Sequence, residues 1–477
     1  MPSLILLPEL SQSVGALSQP TESAAQASCI DINHCRTIWN IIWSCLATIA
    51  ACTWVAVHRN VPDPRSGMIR VNLDRIAITI CALLVPEYII GWAVRQWLTA
   101  HRIAQTNEKL AKEARDCYRR RAADVVTSDR DRGIVLPSDE RIELLLREAV
   151  QAEVWTVTHG FFVIMGGFYF LDPKSTPRPL SREQVEEHVE NSSFELPKKS
   201  DVDDKSKADM FSKVVASLQT LWFVMQSLAW PIQQLPLTKL EIATLAYTSI
   251  NMAMYGFWWS KPLNVGRPVR MDEYGDADVF STSPSFSQET LVMVDHSSPS
   301  ISDADSMTSW SKKIEGSPTQ MQLYIMKLAC LLKTVMGAQD DEVDLSKLSK
   351  VPNFYAGVPI DVHIIWADLI TLIFAMVFGA VHCAAWSLTF PSQAEKLMRR
   401  AASMALVGIP VIYILVVTLY MFEKQWLVKY LLLLSLIMIL FYLLARLILI
   451  VLAFTTLQSL PSAVLETVHW TTFIPHL

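Results

Sequence analysis

Leu427–Ala453 reads LVKYLLLLSLIMILFYLLARLILIVLA, a run in which only Lys429 and Arg446 carry charge. As an α-helix it is about 40 Å long, more than the roughly 30 Å of bilayer hydrocarbon, so it reads as a transmembrane helix. Upstream, Ala402–Phe422 and Ile364–Phe390 are of the same kind, and Leu240–Trp259 and Phe211–Trp230 form an antiparallel pair around Pro231 and Pro236. Thr37–Val57, opened by Arg36 and closed by His58 and Arg59, is the first span, and Ile76–Trp97, with Glu87 near its middle, is the second. Trp155–Leu171 lies near the lower limit for spanning and is softened by Gly160, Gly166 and Gly167, so it either crosses or is re-entrant. The predicted fold is therefore all-α: a polytopic transmembrane helical bundle of seven or eight spans with two hydrophilic inserts.

Composition agrees. The 477 residues are 51% hydrophobic and 18% charged, with a positive mean hydropathy, which excludes an ordinary cytosolic enzyme. A net charge of -5, from 41 basic and 46 acidic residues, leaves no nucleic-acid footprint. Eight cysteines are scattered without CxxC pairs or Cys/His spacing, so no metal site and no cofactor is implied. Cys29 and Cys35, just before the first apolar run, read equally as a small lumenal disulfide or as two free thiols. Met1–Leu17 has no basic stretch, so a cleaved signal peptide is weakly supported. Trp39, Trp97, Trp155, Trp230, Trp258, Trp259, Trp366, Trp386 and Trp426 flank the apolar runs in the manner of an interfacial aromatic belt. The implied setting is an integral membrane protein of the plasma membrane or an endomembrane, with the lipid bilayer as partner and the oligomeric state open.

The chain divides into a tail (1–35), a transmembrane hairpin (36–97), a charged helical insert (98–154), and transmembrane helices (155–259) holding an acidic insert (172–209). A Ser/Thr-rich hydrophilic insert (260–362), C-terminal transmembrane helices (363–453) and a tail (454–477) follow. Ser281–Ser311, rich in Ser, Thr, Asp and Pro, reads as a disordered, phosphorylatable linker, and Thr319–Met336 as an interfacial or core-packed helix. Asn191-Ser192-Ser193 is a glycosylation acceptor if it faces a lumen. Loop charges disagree on orientation. Lys396, Arg399, Arg400 and the Arg115–Arg121 stretch argue for cytoplasmic loops there, whereas the absence of Lys or Arg before Arg36 suits a lumenal start.

Ionisable residues inside helices each cost a few kcal/mol at the bilayer centre, so something must compensate them. Glu87 follows Pro86 at an expected kink, which suits a binding cavity or a neutral acid bonded to a neighbouring helix. Glu241 lies three residues after Thr238, the spacing of a capping box, and Asn251 lies deeper in the same helix as an interhelical bridge. His159 opens the glycine-softened segment and is either a titrating group or a structural one. Arg95, His58 and Lys261 fall at predicted helix ends, where they can snorkel to the interface without further function. Asp368, His382 and Arg446 sit within the last helices, where partners are required; one arrangement pairs Asp368 or His382 with Arg446.

No hydrolase triad spacing, phosphate-binding glycine loop, dinucleotide fingerprint or paired histidine box is present. Trp43-Ser44-Cys45-Leu46-Ala47-Thr48-Ile49, Cys52-Thr53-Trp54, Asn60-Val61-Pro62, Pro86-Glu87, and His159-Gly160 with Met165-Gly166-Gly167-Phe168 do form a recognisable set. So do Asp204-Lys205-Ser206-Lys207-Ala208-Asp209, Leu240-Glu241, Trp258-Trp259 and Lys261-Pro262-Leu263, with a looser echo in Val351-Pro352-Asn353-Phe354-Tyr355-Ala356-Gly357. Over roughly Cys35–Val269 the chain resembles a large fungal family of multi-pass membrane proteins. The resemblance implies a fungal, membrane-embedded chain and supplies no activity.

Three functions remain open. One is a non-enzymatic membrane protein that binds or passes a small or lipid-like molecule, with Glu87, His159, Glu241 and Asn251 at a polar site. The second is a membrane enzyme acting on a lipidic or isoprenoid substrate, with protonated Glu87 or Glu241 as the acid and aromatic rings steadying cationic intermediates. The third is a scaffold whose serine-rich insert recruits partners after phosphorylation.

Overall fold

The structure is a computed structural model, and it describes residues 36–131, 154–170, 177–190, 196–205, 207–271, 340, 343–358, 361–386, 388, 390–422 and 425–467. Cys29, Cys35, Asn191, Ser281–Ser311 and Thr319–Met336 lie outside the described residues. Two compact units are present. The first comprises Met1–Ala56, Lys213–Met252 and Leu372–Leu477, and the second Val57–Ser212 and Ala253–Thr371.

In chain order the helices are α1 (Ile38–Ala50, continued by a π-helical turn Ala51–Val55), α2 (Met68–Leu84), α3 (Pro86–Asp131), α4 (Val157–Ile164), α5 (Arg182–Glu190) and α6 (Lys199–Asp204). Next come α7 (Lys207–Ile232), α8 (Lys239–Phe257), α9 (Asp361–Cys383), α10 (Gln393–Phe422) and α11 (Gln425–Thr455). Among the described residues four helices are long and apolar enough to cross a bilayer, as expected of a membrane protein: Ile38–Val55, His363–Cys383, Gln393–Leu415 and Leu434–Gln458. A fifth span results if α2 and the start of α3 count as one bent crossing. The pair α7 and α8 forms as helices at the expected positions but is not among these four.

The helix expected over Ile76–Trp97 is not a kinked rod. It breaks at Val85 (φ −142°, ψ 64°), and α2 and α3 diverge by 110°. Proline lacks the N–H that would continue the ladder and disfavours helical geometry in the residue before it, so Pro86 starts a new helix. Glu87 consequently lies in the first turn of α3 and not at mid-helix.

Trp155–Leu171 likewise does not form a single apolar helix. α4 has eight residues, about 12 Å of rise, too short to cross. It ends at Gly166, whose φ of +78° is a conformation L side chains rarely adopt. Beyond it Phe168–Phe170 is a strand, β1, which pairs antiparallel with β2 (Arg178–Pro179) and parallel with β3 (Val269–Met271). Three consecutive aromatics suit a pleated, buried strand better than a helix turn. The expectation of a purely helical chain is corrected by this small sheet.

The core of the first unit joins Ile41 and Cys45 of α1 to Phe223, Leu240 and Ala243 of the α7–α8 pair and to Ala453 and Leu457 near the end of α11. In the second unit α4 packs on α3 at a point of very close approach: an ideal Cβ on Gly160 would lie 2.1 Å from the carbonyl oxygen of Ala100. That oxygen belongs to a helix backbone and cannot step aside cheaply. Gly160→Ala should therefore cost about 2 kcal/mol or more, seen as a lower midpoint of thermal unfolding in detergent. Gly256→Ala, where nothing lies within 4 Å, should leave the midpoint unchanged or slightly raised; equal midpoints for the two variants would refute the close packing.

Candidate functional site

The motif residues of the second unit converge on one buried cation. Lys261, 1% exposed, donates from Nζ to Gln96 Oε1 at 2.7 Å and to the carbonyl oxygen of His58. Its ammonium also stands 4.7 Å from the ring centres of both Trp92 and Trp258, which meet edge to face. Gln96 is the hub. Its Oε1 also accepts from the Trp258 indole at 3.1 Å, while its Nε2 donates to Asn60 Oδ1 at 3.0 Å and to the carbonyl of Tyr355 at 2.9 Å. Asn60 Nδ2 then donates to the carbonyl of Pro352, and the Trp92 indole to that of Tyr355. Beside this network Arg95 pairs with the buried Asp340 at 3.4 Å, and Asp340 also accepts from the backbone N–H of Ala356.

This overturns the expectation that Arg95, His58 and Lys261 snorkel to an interface, because all three are buried among polar partners. Trp155, Trp230 and Trp258 are buried too, so they do not belong to an exposed belt. Trp39, Trp259, Trp366 and Trp386 are exposed.

The residues singled out from sequence fall into both units. His159 is held at both ring nitrogens: the Thr156 N–H donates to Nδ1 at 3.1 Å, and Nε2 donates to the carbonyl of Pro197 at 3.1 Å. The imidazole is thus fixed in one tautomer at the head of α4. Glu87 is buried at the head of α3. In the first unit Glu241 completes a capping box: the Thr238 N–H donates to Oε2 at 2.8 Å, and the Glu241 N–H donates to Thr238 Oγ1 at 3.1 Å. The same carboxylate pairs with both terminal nitrogens of Arg36, whose guanidinium stacks 3.3 Å from the Trp230 ring centre. Burial lowers the Arg36 guanidinium from its ordinary value, and the Glu241 charge pulls it back up. Asn251 bridges helices as expected, donating from Nδ2 to Thr220 Oγ1 at 3.5 Å. Asp368, placed in the second unit, is within electrostatic reach of Arg95.

A further set in the first unit escaped the sequence reading. Arg399, expected in a loop, lies in the second turn of α10 and is 2% exposed. Its Nε, Nη1 and Nη2 have no hydrogen-bond partner among the described residues, and neither has Ser403 Oγ, one turn along the same face. Lys239 at the head of α8 and His382 in the last turn of α9 are within electrostatic reach of Arg399. Arg446 is within reach of His382 and rests its guanidinium 3.8 Å from the Phe378 ring centre. Chemically, this is a group of buried donors and positive charge that calls for an acceptor.

The Lys261 network makes a ranking that thermal unfolding can check. Gln96→Leu takes a partner from an ammonium, an indole N–H, an amide and a carbonyl at once and should cost about 3 kcal/mol or more; Lys261→Met removes the charge together with its need and should cost less than half of that. The reverse order would show that Gln96 is not the hub.

No curated protein and no solved structure matches the chain. A family model does match, over residues 11–288, more than half of the sequence and including Asn60, Gln96 and Lys261. The chain therefore belongs to a family of unknown function, DUF8562.

Proposed function

We propose that this is a multi-pass membrane protein that binds or passes a small or lipid-like molecule at a polar site among its membrane helices. The observation that carries the reading is Arg399: a guanidinium inside the candidate span Gln393–Leu415, buried, with all three nitrogens lacking a partner among the described residues. An uncompensated buried charge costs several kcal/mol, a large share of a domain's net stability. A bound molecule that supplies acceptors removes that cost. His159 and Glu241 already spend their polar atoms on caps and, for Glu241, an ion pair, so the site moves from those residues to Arg399. Glu87 is kept as a separate binding residue within the second unit and is not part of the site at Arg399.

The exposed apolar face of α7, with Phe211, Leu218, Trp222 and Met225, supports counting α7 and α8 as spans. With the four single helices and the bent pair they bring the number of crossings to seven.

Native mass spectrometry of the full chain, extracted in mild detergent, tests the binding. The wild type should retain about one small-molecule or lipid adduct per chain, and Arg399→Gln should lose most of it at an unchanged oligomeric state. Equal adducts in both proteins, or none in either, would refute a site at Arg399.

A further inference from the structure

Resting on that reading of Arg399, we infer that the molecule it takes presents an oxyanion, a phosphoryl or carboxyl group, seated between Arg399 and Ser403 at the end of the helices where Lys239 lies. The first reason is donor arithmetic. Arg399 Nε, Nη1 and Nη2 carry only donors, and Ser403 Oγ adds a hydroxyl one turn away; none of the four has a partner among the described residues. A ligand that satisfies them must be rich in acceptors, and the planar guanidinium fork matches two oxygens of one oxyanion.

The second reason is the local field. Lys239 and Arg399 are within electrostatic reach of each other, and Arg399 and Arg446 are both within reach of His382. Against these cations stands Glu395, a turn before Arg399 and within reach of Lys239. Glu395 and Arg399 have the i, i+4 spacing of a helix ion pair, yet Glu395 Oε2 and the three guanidinium nitrogens of Arg399 have no hydrogen-bond partner among the described residues. The cluster retains net positive charge that its own acid does not satisfy.

The third reason is depth. Arg399 is in the second turn of α10, His382 in the last turn of α9 and Lys239 is the first residue of α8, and the Lys239 ammonium stands 4.2 Å from the ring centre of Phe390 in the α9–α10 connection. Arg399 and His382 lie toward the ends of the candidate spans Gln393–Leu415 and His363–Cys383, the level of a lipid head if these helices cross a bilayer, while Leu397, Met398 and Met404 of α10 turn apolar side chains outward. An anionic amphiphile fits both features; a free anion fits the donors alone.

Titrating the full chain by native mass spectrometry with phosphatidic acid, with diacylglycerol of the same acyl chains and with inorganic phosphate decides the matter. The wild type should prefer phosphatidic acid over diacylglycerol by about tenfold or more, the scale of a charge-assisted contact. Arg399→Gln should bring that preference to about twofold or less, and Arg399→Lys should keep part of it, which also preserves the test if the glutamine variant does not fold. Glu395→Gln should hold or raise the preference. If instead Glu395→Gln creates binding that the wild type lacks, Arg399 and Glu395 pair internally and the inference fails. Should both lipids bind equally and both weaken in Arg399→Gln, the site at Arg399 stands and the oxyanion is wrong. Insensitivity of both lipids to Arg399→Gln would overturn the two together. Competition by inorganic phosphate would identify a free anion as the natural occupant, and its absence a lipid head.

Discussion

A cation taken from water into an apolar interior loses its hydration, and the shape of this chain follows from how that hydration is replaced. Three answers appear. Arg36 meets a carboxylate, Glu241, with an indole face against its guanidinium. Lys261 meets neutral dipoles instead, an amide oxygen and a backbone carbonyl, with two more indoles beside its ammonium. Arg399 meets no acceptor among the described residues. The first two are complete within the protein, and each ties distant parts of the sequence together: Arg36 to the α8 cap, Lys261 to α3 and to the segment around Tyr355. The third has no acceptor among the described residues, and the proposal of a bound molecule rests on that difference.

The scaffold around these groups is set by a few backbone constraints. Pro86 turns what would have been one continuous helix into two, and α3, started afresh, carries Trp92, Arg95 and Gln96 into the interior of the second unit. Gly160 lets α4 rest directly on that helix. Gly166 then ends α4 and allows Phe168–Phe170 to become the central strand of a small sheet. Asn60, Trp258, Lys261 and the Val351–Gly357 stretch, all among the motifs that first marked the chain as part of a larger family, turn out to be the parts of one buried network. That is a reason of folding for these motifs, and it leaves the ligand to be sought elsewhere, at Arg399, beyond the end of the family match at residue 288.

Much of the helical architecture was legible because bilayer length and hydropathy are strong one-dimensional signals. The α7 and α8 helices and the Thr238–Glu241 box are local features found where they were expected, and the span expected at Leu427–Ala453 lies at Leu434–Gln458. Burial of charge was not legible. Lys261 and His58 border apolar runs, and a border residue can reach water or turn inward with the same sequence around it. Gln96 gives no sequence signal, since one neutral amide in a helix carries no pattern. Arg399 was set outside its helix because the apolar run begins at Ala402, although α10 starts at Gln393. The Glu395, Arg399 and Ser403 spacing, one face over two turns, was the available sign that this arginine belongs to a helix.

The central claim is that Arg399, without an acceptor among the described residues, takes one from a bound molecule. A cryo-electron microscopy map of the full chain in nanodiscs made from the membranes in which it is expressed would test this most directly. The account predicts density not belonging to the protein within about 3 Å of the Arg399 guanidinium, the reach of a charge-assisted hydrogen bond. A map in which Arg399 pairs with Glu395, with no further density beside it, would contradict the account.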